Sequence, residues 1–155
     1  MINYKRYFQR GITIQEILLV VAIFIVILSM ALPAFRDSRD RQLLKSVTLE
    51  VYSVVTEARS QSLASLDSSE YGVHFESDKV VIFKGQSYSS SNLDNEDTEI
   101  PSSASISVID LTGGATDVYF DRLSGAPSVI GTVTIAVATF TRTLTISATG
   151  IVSVD

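Results

Sequence analysis

Cysteine is absent from the 155 residues, which excludes disulfide staples, thiolate metal sites and a cysteine nucleophile. Histidine occurs once, as His74 between Val73 and Phe75, and a single imidazole in a strand-like context is assigned no metal-binding or catalytic role. There is no Gly-x-Ser-x-Gly elbow and no phosphate-cradling glycine loop, so no enzymatic role and no cofactor are expected. Acidic residues are missing before Glu16, whereas Lys5, Arg6 and Arg10 place 3 of the 12 basic residues there. No basic patch forms in the C-terminal half, where Lys79, Lys84, Arg122 and Arg142 are scattered. Without residues 1 to 11 the chain holds 9 basic against 17 acidic residues, a formal charge of −8 that disfavours nucleic acid as a partner.

Charge is also absent from Ile17 to Phe35, and Ser29 is the one conventionally polar side chain in those 19 positions. As a helix this run is about 28 Å long, against roughly 30 Å for the hydrocarbon core of a bilayer. A membrane-crossing segment is expected here, and its flanks differ from those of a secretory signal because the small residue and the basic cluster precede the apolar run. The positive-inside rule does not set its orientation, since Arg36, Arg39, Arg41 and Lys45 follow it closely.

Pro33 removes a backbone donor near the end of the run, so a bend is expected there. Helical periodicity resumes beyond it: Leu44, Val47, Val51, Val54 and Ala58 recur at steps of 3, 4, 3 and 4. The sequence therefore predicts one long bent helix from about Ile14 to Leu66. Residues 12–36 form its apolar part and 37–66 its amphipathic part, with Arg41, Lys45, Glu50, Glu57 and Arg59 facing water.

From residue 67 to 155 the pattern is that of short strands. Tyr71 to Glu76 and Lys79 to Lys84 read as a hairpin about Ser77-Asp78. Ser87 to Ser103 is polar and acidic and is expected to be a loop; its Asp94, Glu96, Asp97 and Glu99 lack the spacing of a calcium loop. Further strands are predicted at Ser105 to Asp110, Asp117 to Asp121, Thr132 to Ala138, Thr143 to Ser147 and Ile151 to Val154. Val133, Ile135, Val137, Leu144 and Ile146 alternate with Thr, Ala or Ser, the period of a half-buried sheet. The expected fold class is α+β: a long bent N-terminal helix, hydrophobic in its first half, packed on a C-terminal antiparallel β-sheet domain.

A basic leader, Gly11, Ile12, Thr13, Glu16, an apolar helix and Pro33 together resemble the class III signal of type IV pilins and pseudopilins. Ile12 stands where phenylalanine is more usual, and Gln15 replaces a commonly apolar residue. The resemblance implies a pilin-like fold, cleavage after Gly11 by a prepilin peptidase, N-methylation of Ile12, and pairing of Glu16 with the N-terminal amine of a neighbouring subunit. It also implies a cytoplasmic leader and a single pass through the inner membrane with the C-terminal domain outside the cytoplasm. Other pilins or pseudopilins, an inner-membrane assembly platform and lipid are the implied partners.

The C-terminal part is similar to the GspH/FimT-like group of minor pseudopilins in Val118-Tyr119-Phe120-Asp121, Gly125 and Leu144-Thr145-Ile146-Ser147-Ala148-Thr149-Gly150-Ile151-Val152. Some of that group bind DNA through arginines near the terminal glycine, but no basic residue follows Gly150. The expected function is that of a minor pseudopilin of a type II secretion or type IV pilus-like machine. The alternatives are a structural pilin of a long fibre and a DNA-uptake minor pilin.

Overall fold

A computed structural model describes residues 11–155, except for the side chains of residues 30–34. All of the expected leader but Gly11 lies outside the described residues, as does the Pro33 side chain and with it the expected bend. The fold class is α+β, with one long helix and two antiparallel four-stranded sheets. Helix α1 spans Ile14–Leu63. The chain divides into two compact units, Met1–Ser38 and Arg39–Asp155.

In the first unit, every described side chain from Gly11 to Ser29 is exposed. Among the described residues no helix is long and apolar enough to cross a membrane. The single-pass anchor expected from the sequence finds no support among the described residues.

In the second unit the periodic stripe is the buried face of α1: Leu44, Val47, Val51, Val54, Val55 and Ala58 are all at most 7% exposed. Arg41, Lys45, Glu50 and Glu57 face water as expected. Buried Thr48 sits within the stripe because its hydroxyl donates to the Leu44 carbonyl at 2.6 Å, which satisfies it inside the helix. The helix stops at Leu63, three residues before the predicted end. Ser65 takes a left-handed conformation, φ 53°, and starts a short 3-10 turn over Leu66–Ser68. No glycine marks this stop, which is why the sequence runs past it.

The strands are β1 Tyr71–Phe75, β2 Lys79–Lys84, β3 Glu96–Glu99, β4 Ser105–Leu111, β5 Asp117–Phe120, β6 Gly131–Val137, β7 Phe140–Ile146 and β8 Val152–Val154. The expected β-sheet domain is built of two sheets: sheet A in the order β3-β2-β1-β5 and sheet B in the order β4-β6-β7-β8. The predicted hairpin is present, with Phe75 opposite Val80. The predicted loop from Ser87 to Ser103 contains β3, whose Glu96 and Asp97 pair with Ile82 and Val81. Its charges are tolerated because β3 lies at the edge of the sheet, with one side open to water.

Both sheets and the α1 stripe line one core, including Val73, Phe75, Ile82, Phe120, Ile135 and Leu144. Burial of each such side chain contributes about 1.5–3 kcal/mol. Sheet A is covered on its other face too, where Val81 and Phe83 are buried and Tyr88 packs edge-on against Phe83. Double coverage explains why β2 reads as the unbroken apolar run Val80-Val81-Ile82-Phe83.

Strands β6 and β7 meet in a hairpin closed by Val137 opposite Phe140, with Ala138 and Thr139 as its loop. Ala138 holds φ 51°, a region that costs a side-chain-bearing residue about 1–2 kcal/mol. Ala138→Gly is expected to stabilise the domain by up to about 1 kcal/mol after the added freedom of the unfolded chain is subtracted. A urea midpoint that stays put or falls would contradict this.

Candidate functional site

The residues singled out by the sequence gather where α1 begins. Gly11, Ile12 and Thr13 are non-helical and exposed, so the Gly11-Ile12 peptide bond lies outside the helix. Accessible, non-helical backbone is what proteolysis in general requires. Thr13 is the N-cap: its hydroxyl oxygen accepts the Glu16 N–H at 3.3 Å, and its carbonyl accepts the Ile17 N–H at 3.3 Å.

Thr13-Ile14-Gln15-Glu16 thus has the spacing of a capping box, in which the glutamate would reach back to the backbone N–H of the threonine. Only the threonine half of that exchange is made. Among the described residues the Glu16 carboxylate has no hydrogen bond or ion pair. It stands in the first turn, where the helix dipole favours a negative charge, beside a groove lined by Ile12, Ile17, Val20 and Val21. Ile12 and Ile14 are 74% and 80% exposed. The arrangement is a carboxylate without a partner among the described residues, on an apolar surface next to an exposed, non-helical segment.

A second constellation lies at the C-terminal end of α1, and the sequence reading missed it. Arg59, expected to face water, is half-buried, and its Nε and Nη2 each donate at 3.2 Å, to the carbonyls of Gly125 and Thr149. Gly125 and Gly150 both have positive φ, 62° and 74°. A Cβ on Gly150 would come within 2.3 Å of the Gly125 oxygen and 2.6 Å of Arg59 Nε. The glycines near residues 125 and 150 therefore let two loops close around one guanidinium. Ser62 adds to the same junction, its hydroxyl accepting the Tyr71 N–H at 2.8 Å and donating to the Tyr71 carbonyl at 3.2 Å. An arginine does lie against Gly150 in space, but those two nitrogens are engaged by main-chain carbonyls.

The His74 ring stacks on Tyr88 at 3.9 Å between centroids, and its Nε2 lies 3.8 Å from Glu76. Lys84 donates to Asp67 at 3.0 Å, which lowers the carboxyl pKa of Asp67 and raises that of Lys84. Burial raises the pKa of Tyr71, whose hydroxyl also donates to Asp67 at 3.3 Å. Among the described residues no three His, Asp or Glu side chains are placed to hold a metal ion. Comparison with protein families, characterised proteins and solved structures finds no match for this chain.

Proposed function

We propose that this chain is the precursor of a type IV pilin-like filament subunit, and specifically a minor pseudopilin of a secretion or pilus-like machine. The observation that carries the reading is the start of α1, where an exposed, non-helical Gly11-Ile12 bond precedes a capped first turn whose Glu16 carboxylate has no partner among the described residues. A prepilin peptidase would act on that bond and methylate Ile12. The new amine would then begin the chain four residues before Glu16, on a surface where Ile14 to Leu28 are open to whatever covers them.

An exposed surface this apolar is not left in contact with water, and lipid or a bundle of like helices suits it. Support for a membrane-inserted storage form comes from the sequence, which carries no charge across Ile17 to Phe35. In this reading the chain is held in the inner membrane with its C-terminal domain outside the cytoplasm. From there an assembly platform passes it into a hetero-oligomeric filament. The α+β domain supplies the subunit's outer surface. Its net acidity, and the use of Arg59 on carbonyls, favour secretion or pilus initiation over DNA uptake.

The direct test is the mass of the mature N-terminus, purified from cells that contain a prepilin peptidase. A chain beginning at N-methylated Ile12 is the expected result. Residues 1 to 11 still attached in such cells would overturn the assignment.

A further inference from the structure

The unit Arg39–Asp155 carries eight basic residues, and they fall into two groups. Four are engaged by the protein itself: Arg59 and Arg122 donate to main-chain carbonyls, Lys79 pairs with Glu76 and Asp97, and Lys84 pairs with Asp67. The other four, Arg39, Arg41, Lys45 and Arg142, are exposed. Among the described residues these four form no ion pair and donate no hydrogen bond.

Three of the unengaged cations stand close together at the start of the unit, where Asp40 is the one acid among residues 39–49. Three positive charges against one negative leave +2 there, in a chain whose net charge is −5. At about 3.6 residues per turn, Arg41 and Lys45 lie roughly 200–240° round α1 from Arg39, so the cations occupy opposite sides of the helix. The Arg41 guanidinium is 4.2 Å from the centroid of the Phe140 ring, which holds one side of this collar against β7. In the sequence the uncharged run Ile17 to Phe35 ends just before it, with Arg36 between.

We infer that residues 39–45 form a cationic collar that binds the headgroups of anionic phospholipids. Charge complementarity sets the class of partner, and the arrangement selects lipid among the polyanions. A nucleic-acid duplex meets a helix from one side and leaves the cations of the far side without partners. A headgroup layer surrounds a helix that leaves it, so that Arg39 and the Arg41–Lys45 side both meet phosphate. Lys and Arg just beyond an apolar segment each strengthen attachment to an anionic leaflet roughly fivefold. The inference rests on the part of the proposed function that brings the chain to a bilayer, and not on cleavage at Gly11 or on the filament.

The test reconstitutes the full chain in bilayers with equal amounts of phosphatidylglycerol and phosphatidylcholine, extracts it in mild detergent and measures the bound lipid by mass spectrometry. Phosphatidylglycerol is expected in at least about fivefold excess. The excess should disappear in Arg39→Gln/Arg41→Gln/Lys45→Gln, where glutamine keeps the helix at exposed positions and a circular dichroism melt checks the fold. Arg39→Lys/Arg41→Lys keeps the charges and should keep the excess. Lys79→Gln/Lys84→Gln removes cations that are already paired and should keep it too. No excess in the unaltered chain would overturn the collar, as would an excess that the triple variant retains or that the Lys79/Lys84 variant loses equally. Salt-sensitive retardation of duplex DNA by the full chain, lost in the triple variant and unaccompanied by a lipid excess, would assign these cations to nucleic acid and overturn it as well. N-methylated Ile12 in a chain without the excess would refute the collar alone and leave the filament reading standing; an excess on a chain that keeps residues 1 to 11 would do the reverse.

Discussion

Gly150→Ala is expected to destabilise the domain by roughly 3 kcal/mol or more, the largest effect of any single-methyl addition at a glycine near Arg59. Part of the loss is conformational, about 1–2 kcal/mol for a side chain held at φ 74°. The rest is steric. The new Cβ would lie 2.3 Å from the Gly125 oxygen, a backbone atom that can move only with its loop. Moving that loop breaks the Arg59 hydrogen bonds to the carbonyls of Gly125 and Thr149, each worth about 1.5–3 kcal/mol because the donor is charged. Gly113→Ala separates the two contributions: φ is 80°, but nothing lies within 4 Å of its Cβ, so only the conformational part should appear. Denaturant titration of both variants is the measurement, and equal losses would show that the Arg59 junction is not the cause.

Glu16→Ala is expected to reduce incorporation into filaments by about a hundredfold or more while leaving the membrane-bound pool unchanged. Leaving one member of a buried ion pair without its partner costs about 3–5 kcal/mol, and each 1.4 kcal/mol is a factor of ten. The proposed pair is the carboxylate with a neighbour's N-terminal amine, and nothing among the described residues competes for that carboxylate at the start of α1. Glu16→Gln keeps size and hydrogen bonding but not charge, and it should fail in the same assay. Quantifying the subunit in sheared filaments against the membrane fraction gives the answer; normal incorporation of either variant would dismiss the pairing. Retention of the helix cap is expected in both, because the bond at Thr13 uses the backbone N–H of residue 16 and not its side chain.

The local elements were legible because local physics writes them. The 3–4 spacing of Leu44 to Ala58 marks the buried stripe of α1, and the alternation of Val133 to Val137 and Leu144 to Ile146 marks the inner face of sheet B. The hairpin of β1 and β2 was legible for the same reason. The start of α1 at Ile14 was equally readable, although the capping role of Thr13 came only from the structure. The misses have physical causes as well. Ser65 ends the helix and Ala138 turns a hairpin in left-handed conformations that a sequence signals with glycine or asparagine. Strand β3 is Glu-Asp-Thr-Glu, a composition that only an edge position allows. Arg59 looked solvated because its partners are main-chain carbonyls 66 and 90 positions away, which leave no trace in side-chain chemistry.

By itself, the sequence determined the period of each element, the apolar character of the N-terminal run and the placing of Gly11, Thr13 and Glu16 at one helix start. These depend on neighbours within a few residues, where spacing alone decides which side chains share a face. Only the tertiary structure decided that the eight described strands divide into two sheets and that β5 returns to pair with β1. Those outcomes depend on backbone pairing over long separations, which any sequence of suitable alternation permits and only the packed core selects. For the Gly11-to-Glu16 segment the structure supplied the exposure of the Gly11-Ile12 bond and a carboxylate with no partner among the described residues.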